Sequence, residues 1–108
     1  MTYRTLADEV IRELQRAQRK FAPFNSAHEG YAVILEELEE LWEEARKNPK
    51  KVYGSDPAGP AKHRAAMREE AIQLAAMGLR FVVDVCGALG TANETYGSLS
   101  DPPEANKK

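Results

Sequence analysis

Apolar residues recur every three or four positions near the start of the chain, which is the spacing of one helix face. This repeat predicts a first α-helix over about residues 6–21, and it is formed by Leu6, Val10, Leu14, Ala17 and Phe21. Thr5 and Asp8 have the three-residue spacing of a capping box, in which side chains bond the free amide groups of a helix start. The opposite face carries charges of both signs, so we expect it to be solvated.

A second helical pattern runs from Ser26 to about Lys47. Ser26 and Glu29 form another candidate capping box, and Pro49 disfavours helical geometry at the residue before it. The apolar stripe of this helix is expected to face the core, and it consists of Tyr31, Ile34, Leu35, Leu38, Leu41, Trp42 and Ala45. The following residues, 48–61, are rich in proline and glycine and are predicted to form a loop.

A third helix is predicted from about Ala61 to about Ala88, with Gly87 and Gly90 as stop signals. Its centre, residues 71–85, is apolar on nearly all sides. A helix of that kind is expected to be buried, so we place it at the centre of the fold.

Together these patterns predict an all-α fold, an antiparallel helical bundle of three main helices and a short fourth helix over residues 91–97. Residues 1–97 are expected to form a single helical domain, and residues 98–108 a loose C-terminal tail. Three helices do not easily shield the third one within a single copy. We therefore expect oligomerisation to complete the bundle.

The composition narrows the class of protein. The chain has 108 residues, 43% of them hydrophobic and 30% charged, which is typical of one globular domain. Its 15 basic and 17 acidic residues are too balanced to favour binding to a nucleic acid polymer or an anionic membrane. No apolar run is long enough to span a bilayer and no signal peptide is evident, so we expect a cytoplasmic location. The single cysteine, Cys86, excludes an internal disulfide and is expected to be a small core residue.

Glutamates dominate the second predicted helix, where they are Glu29, Glu36, Glu37, Glu39, Glu40, Glu43 and Glu44. Like-charge pairs four residues apart each destabilise a helix by roughly 0.2–0.5 kcal/mol. Only Arg46 and Lys47 lie nearby to compensate. A solvated charged face is the simplest interpretation. The unrelieved charge instead favours a cation against this helix, either a divalent metal or a basic partner surface.

A divalent metal would need carboxylates from a second helix as well. Glu70 borders the predicted apolar face of the third helix, where a lone carboxylate would be costly to bury, so it is the candidate. Asp84 shares that face, but Arg80 lies four residues earlier and gives it a structural role as an ion-pair partner. His28 and His63 lack a second histidine at metal-binding spacing and are interpreted as surface or capping residues.

Two segments carry a resemblance to a known family. Glu36-Glu37-Leu38-Glu39-Glu40, preceded by an apolar pair, matches the Glu-Glu-x-x-Glu motif of the MazG-like all-α nucleoside triphosphate pyrophosphohydrolases. On the next long helix, Glu70-Ala71-Ile72-Gln73 resembles the Glu-x-x-Asp motif of that family. The resemblance covers about residues 25–88. The glutamate run also permits a second register of the first motif, Glu39-Glu40-Leu41-Trp42-Glu43, but the first is preferred because Ile34 and Leu35 then lie where the family has apolar residues. Gln73 stands where the family has aspartate, and since an amide brings no charge, metal affinity should be lower.

The resemblance implies hydrolysis of a nucleoside triphosphate to the monophosphate and pyrophosphate, dependent on Mg²⁺ or Mn²⁺, by an enzyme that cleans the nucleotide pool. It implies a homodimer or homotetramer. The implied catalytic residues are Glu36 and Glu40. The implied metal ligands are Glu37, Glu40, Glu70 and Gln73. Candidate phosphate contacts, which are equally well explained as solvated charges, are Lys62, Arg64 and Arg68.

A second function stays open on the same residues. The chain could instead be a non-catalytic descendant of that superfamily, serving as a helical interaction module or a nucleotide sensor. Gln73 favours this alternative because an amide cannot act as a base. The glutamate run together with Glu70 favours the enzyme.

Overall fold

The computed structural model describes residues 1–87, which form α-helices, a terminal π-helical turn and no strand. This confirms the all-α prediction, whereas the helix and tail predicted beyond residue 90 lie outside the described residues. The elements are α1 (Tyr3–Lys20), α2 (Ala27–Ala45), α3 (Pro49–Tyr53), α4 (Gly59–Phe81) and the π-helix Val82–Cys86. None of the helices within these residues is long and apolar enough to cross a membrane.

The start of α1 differs from the prediction. The helix begins at Tyr3, and Thr2 is its N-cap, with the Thr2 hydroxyl oxygen accepting a hydrogen bond from the Thr5 amide at 3.1 Å. The predicted capping box of Thr5 and Asp8 is therefore wrong, because Thr2 caps the helix one turn earlier. The Thr5 hydroxyl instead lies 2.8 Å from that of Thr2.

The start of α2 follows its prediction. Ser26 is the N-cap, and its hydroxyl oxygen accepts from the Glu29 amide at 3.1 Å. The Glu29 carboxylate accepts in return from the Asn25 amide, one residue before the expected partner. Two side-chain hydrogen bonds thus hold the N-terminus of α2, and they fix the direction in which the chain enters the helix.

The segment predicted as a loop contains a short helix, α3. Asn48 caps it by accepting a hydrogen bond from the Lys50 amide at 2.9 Å, and Pro49 occupies its first turn. Proline is favoured there because the first-turn amide has no helical partner. Gly54 then ends the helix at a φ of 61°, a backbone conformation that favours glycine.

Helix α4 packs against α1, α2 and α3 and is the central element, as predicted. It begins at Gly59, whose hydrogen faces Tyr53, since a Cβ there would lie 2.8 Å from the Tyr53 Cβ. At its C-terminal end α4 continues into the π-helix. Gly87 ends the π-helix in the left-handed conformation, at a φ of 62°. The stop signal read from the sequence at Gly87 is confirmed.

The buried core is small and lies where α4 meets α1 and the α1–α2 segment. It consists of Leu14, Ala17, Phe24, Ala76 and Met77. Helix α2 approaches α4 closely at Gly30, where a Cβ would lie only 2.6 Å from Cδ2 of Phe81. The glycine therefore sets the distance between the two longest helices.

Several residues predicted to be buried are exposed in the described chain. The exposed fraction is 63% for Tyr31, 61% for Trp42 and 49% for Leu38, because α4 packs on the side of α2 that contains Gly30 and not on the centre of its apolar stripe. Cys86 is also exposed, which contradicts its expected place in the core. On α4, the outer side is likewise exposed at Ala71, Ala75 and Leu79, so the helix is not buried all round.

The two histidines differ. His28 is exposed, as interpreted from the sequence. His63 is 9% exposed, and its Nε2 lies 2.7 Å from the backbone oxygen of Glu44. It therefore caps a carbonyl in the last turn of α2, which makes it a capping residue and not a surface residue.

Candidate metal centre

Three carboxylates from two helices converge on one point. Glu37 and Glu40 are three residues apart on one side of α2, and Glu70 comes from the middle of α4. One oxygen of each carboxylate lies within 4.8 Å of the others. We call Glu37, Glu40 and Glu70 the carboxylate cluster. The family resemblance implied these three residues as ligands of one metal, and the structure brings their carboxylates together.

The contacts on either side explain why these residues meet. Towards one end of the helix pair, Glu44 contacts His63, and towards the other end Gly30 contacts Phe81. The two helices therefore run antiparallel. This register brings the middle of α2 against the middle of α4, where the cluster lies.

The cluster has a raised affinity for positive charge. Burial raises the pKa of Glu37 to about 7, with further increases from the negative charges of Glu40, Glu70, Glu36 and Glu13. Burial also raises the pKa of Glu70, and the neighbouring charge of Glu40 adds to it. Both pKa shifts have the same causes, which are burial and the negative charges of neighbouring carboxylates.

Two oxygens of the cluster lack a hydrogen bond. Glu37 Oε1 and Glu70 Oε1 are buried and have no partner among the described residues. Buried polar atoms are nearly always bonded, so such atoms call for an explanation. A set of carboxylate oxygens is the donor set that Mg²⁺ and Mn²⁺ prefer. The residues present therefore fit a hard divalent cation.

A cavity of about 460 Å³ adjoins the cluster and lies between α1, α2 and α4. Glu37 lines it, and so do Glu36 and Gln73, the remaining residues that the resemblance implicates. Glu36, one position before Glu37 on α2, is not part of the carboxylate cluster. The size is within the range of roughly 300–1,000 Å³ that is common for small-molecule sites.

The wall of this cavity combines aromatic, apolar and charged residues. Its apolar part includes Phe21, Phe24, Val33 and Met77. Arg16 and Arg80 also line it. The sequence did not single out Arg16, because its ion pair with Glu13 on the same helix looks like ordinary surface charge pairing.

None of the three predicted phosphate contacts lines the cavity. Lys62 forms an ion pair with Asp56 at 2.8 Å, and Arg68 pairs with Glu9 of α1. Arg64 is exposed, and no carboxylate of residues 1–87 lies within ion-pair distance of it. The arginines that line the cavity are instead Arg16 and Arg80.

Comparisons with protein-family models, with curated proteins and with solved structures find no match for this chain. Function is therefore inferred from the side chains of residues 1–87 and from the two motifs.

Proposed function

We propose that this protein is a nucleoside triphosphate pyrophosphohydrolase that depends on Mg²⁺ or Mn²⁺. It would release the monophosphate and pyrophosphate and serve to clean the nucleotide pool in the cytoplasm. The observation that carries the proposal is the convergence of Glu37, Glu40 and Glu70, with two buried oxygens that have no hydrogen-bond partner within residues 1–87, beside a cavity of nucleoside size.

Glu37, Glu40 and Glu70 would hold the cation, and Gln73 would add a weak, uncharged oxygen. When bound, a divalent cation neutralises the charge that develops on the phosphates. Glu36 is the carboxylate assigned to the attacking water, because it lies next to Glu37 and lines the cavity. It would orient that water and accept its proton.

The cavity would receive the nucleoside end of the substrate. Phe21, which is 57% exposed, offers aromatic surface for a base, and Arg16 offers a guanidinium that can bond phosphate oxygens. Arg16 takes the place that the sequence gave to Lys62, Arg64 and Arg68, because those residues lie away from the cavity. The substrate would thus extend from Phe21 to the carboxylate cluster.

A second candidate function is a non-catalytic interaction or sensing module. Gln73 favours it, since this cavity residue has an amide where the family motif has an acid. A sensor would bind metal and nucleotide without turnover. An interaction module would bind neither.

The test is an assay for released pyrophosphate with purified protein, Mg²⁺ or Mn²⁺, and a panel of ordinary and modified nucleoside triphosphates. We expect turnover of at least one substrate and its loss in Glu40→Gln. The matched control is Glu43→Gln, one turn along α2, whose carboxylate pairs with Arg46 outside the cluster and whose activity should be retained. Absence of both turnover and metal-dependent stabilisation would reject the enzyme.

A further inference from the structure

Arg80 is a buried charged residue that the proposed chemistry does not use. It is 4% exposed. Its guanidinium donates a hydrogen bond to the backbone oxygen of Ala22 and lies 4.3 Å from the ring centre of Phe24. Its Nε lies 3.3 Å from Oδ2 of Asp84, which confirms the ion pair predicted from the sequence. A buried guanidinium is costly, so its contacts indicate a specific role.

Asp84 completes the arrangement from the π-helix. Its side chain is 8% exposed, and the same Oδ2 accepts a hydrogen bond from the Phe24 amide at 3.0 Å. Arg80 and Asp84 thus hold the backbone of Ala22 and Phe24, about 60 residues away along the chain. We call these two side chains the clamp. The five-residue π-helix places Asp84 at this end of α4.

The segment that the clamp holds is a wall of the candidate site. All residues from Phe21 to Asn25 line the cavity that also contains Glu36 and Glu37. Arg80 lines the cavity too, and its buried Nε has no hydrogen-bond partner within residues 1–87. Without the clamp, this segment would be held mainly by the ring of Phe24 and by the cap at the start of α2.

We propose that Arg80 and Asp84 are positioning residues that keep residues 21–25 in place as a preformed wall for the nucleoside end of the substrate. This inference rests on the proposed function. A wall that is already ordered spares the ligand the entropy of ordering it. The clamp therefore controls the affinity for nucleotide and leaves the affinity of the carboxylate cluster for metal unchanged.

The experiment compares Arg80→Lys and Asp84→Ala with the wild-type chain. We expect KM for the nucleoside triphosphate to rise about tenfold while kcat changes little, because a displaced wall weakens binding more than chemistry. The Kd for Mn²⁺ alone should stay within about twofold of the wild-type value. Amide hydrogen exchange at Phe24 should become faster, which reports the loss of the clamp directly.

Two further variants control the result. Asp84→Asn keeps an oxygen that can accept from the Phe24 amide, so it should restore most of the nucleotide affinity and carry the test if Asp84→Ala fails to fold. Arg46→Lys makes the same arginine change in the exposed pair with Glu43, and its KM should match that of the wild type. A KM that stays unchanged while Phe24 exchanges faster would overturn the inference, and so would a parallel loss of Mn²⁺ affinity.

Failure of the inference and failure of the proposed function give different results. Wild-type protein that neither hydrolyses nor binds any nucleoside triphosphate overturns the proposed function, and the inference with it. Active wild-type protein with clamp variants of normal KM overturns the inference alone.

Discussion

Glu37 shows how a single residue acquires unusual chemistry from its neighbours. It lies on the side of α2 that meets α4, where it is partly buried, and Glu40 and Glu70 are close enough to repel its charge. A proton or a divalent cation relieves this repulsion. The two compete for the same oxygens, so metal affinity should increase with pH.

The pKa of Glu37 leads to a prediction about stability. It is about 7 in the folded chain against 4.5 for the free side chain, so the folded state binds the proton more tightly. Stability is therefore lost as the pH rises from about 4.5 through about 7. Because Glu37 is partly exposed, we expect an effect of order 1 kcal/mol, or a few degrees in Tm.

The measurement is the difference in Tm between the wild type and Glu37→Gln at several pH values without metal. Glu37→Gln should be the more stable protein at pH 8, and the difference should shrink as the pH falls to 5. Added Mg²⁺ should raise the Tm of the wild type at pH 8 and have little effect on Glu37→Gln. A difference that does not vary with pH would contradict the prediction.

Gln73 supports a second prediction at the same scale. Gln73→Asp places beside the cavity the acid that the MazG-like motif has at the corresponding position. Without metal the added charge should lower the Tm, because it lies near a cluster that is already negative. The affinity of this variant for Mn²⁺ should be about tenfold higher than that of the wild type, because a charged ligand replaces an amide. Isothermal titration with Mn²⁺ measures this, and an unchanged affinity would mean that residue 73 does not reach the cation.

The meeting of the Glu37 and Glu70 carboxylates agrees with what the family resemblance implied. At the scale of elements, helical spacing itself predicted the three long helices. The prediction worked because helical spacing places residues on faces independently of the rest of the fold. It missed α3, because Asn48 and Pro49 can either break a helix or begin a new one. It also missed Arg16 and the cavity, since both depend on how α1 crosses the other helices.

The contact between α2 and α4 gives a prediction at this scale. A Cβ on Gly30 would lie 2.6 Å from the Phe81 ring and 3.0 Å from the Phe24 ring, so Gly30→Ala must displace a ring or move α2 away from α4. We expect it to destabilise the protein by about 1–3 kcal/mol, as overpacking does elsewhere. The control is Gly78→Ala on α4, where a Cβ would meet no atom of residues 1–87 within 4 Å.

Helix propensity alone predicts that both alanines should stabilise the protein by roughly 0.5–1 kcal/mol. Urea unfolding separates the two cases. Gly78→Ala should become more stable and Gly30→Ala less stable. Equal behaviour of the two variants would show that the close approach of α2 and Phe81 does not control stability.

At the scale of the whole molecule, the described chain leaves apolar surface uncovered. Leu38 lies seven residues after Tyr31 and four before Trp42, so the three side chains share one side of α2. Each of them is about half exposed or more. Leu79 and Val82, at the end of α4, are also exposed, by 40% and 41%. The carboxylate cluster lies on another side of α2, so this surface is available for contact without obstructing the site.

We predict that the protein forms a homodimer or homotetramer through the exposed face of α2. Trp42 is the only tryptophan, so its fluorescence reports on that face alone. On dilution, the emission should shift to longer wavelength as Trp42, 61% exposed in one copy, enters water.

Leu38→Glu should give a monomer by light scattering, because a charge in an apolar contact is costly, while keeping the Mn²⁺ affinity of the wild type. Val52→Glu, at an exposed position of α3, should remain associated. A monomer at every concentration would contradict the prediction and leave the exposed face of α2 without a partner.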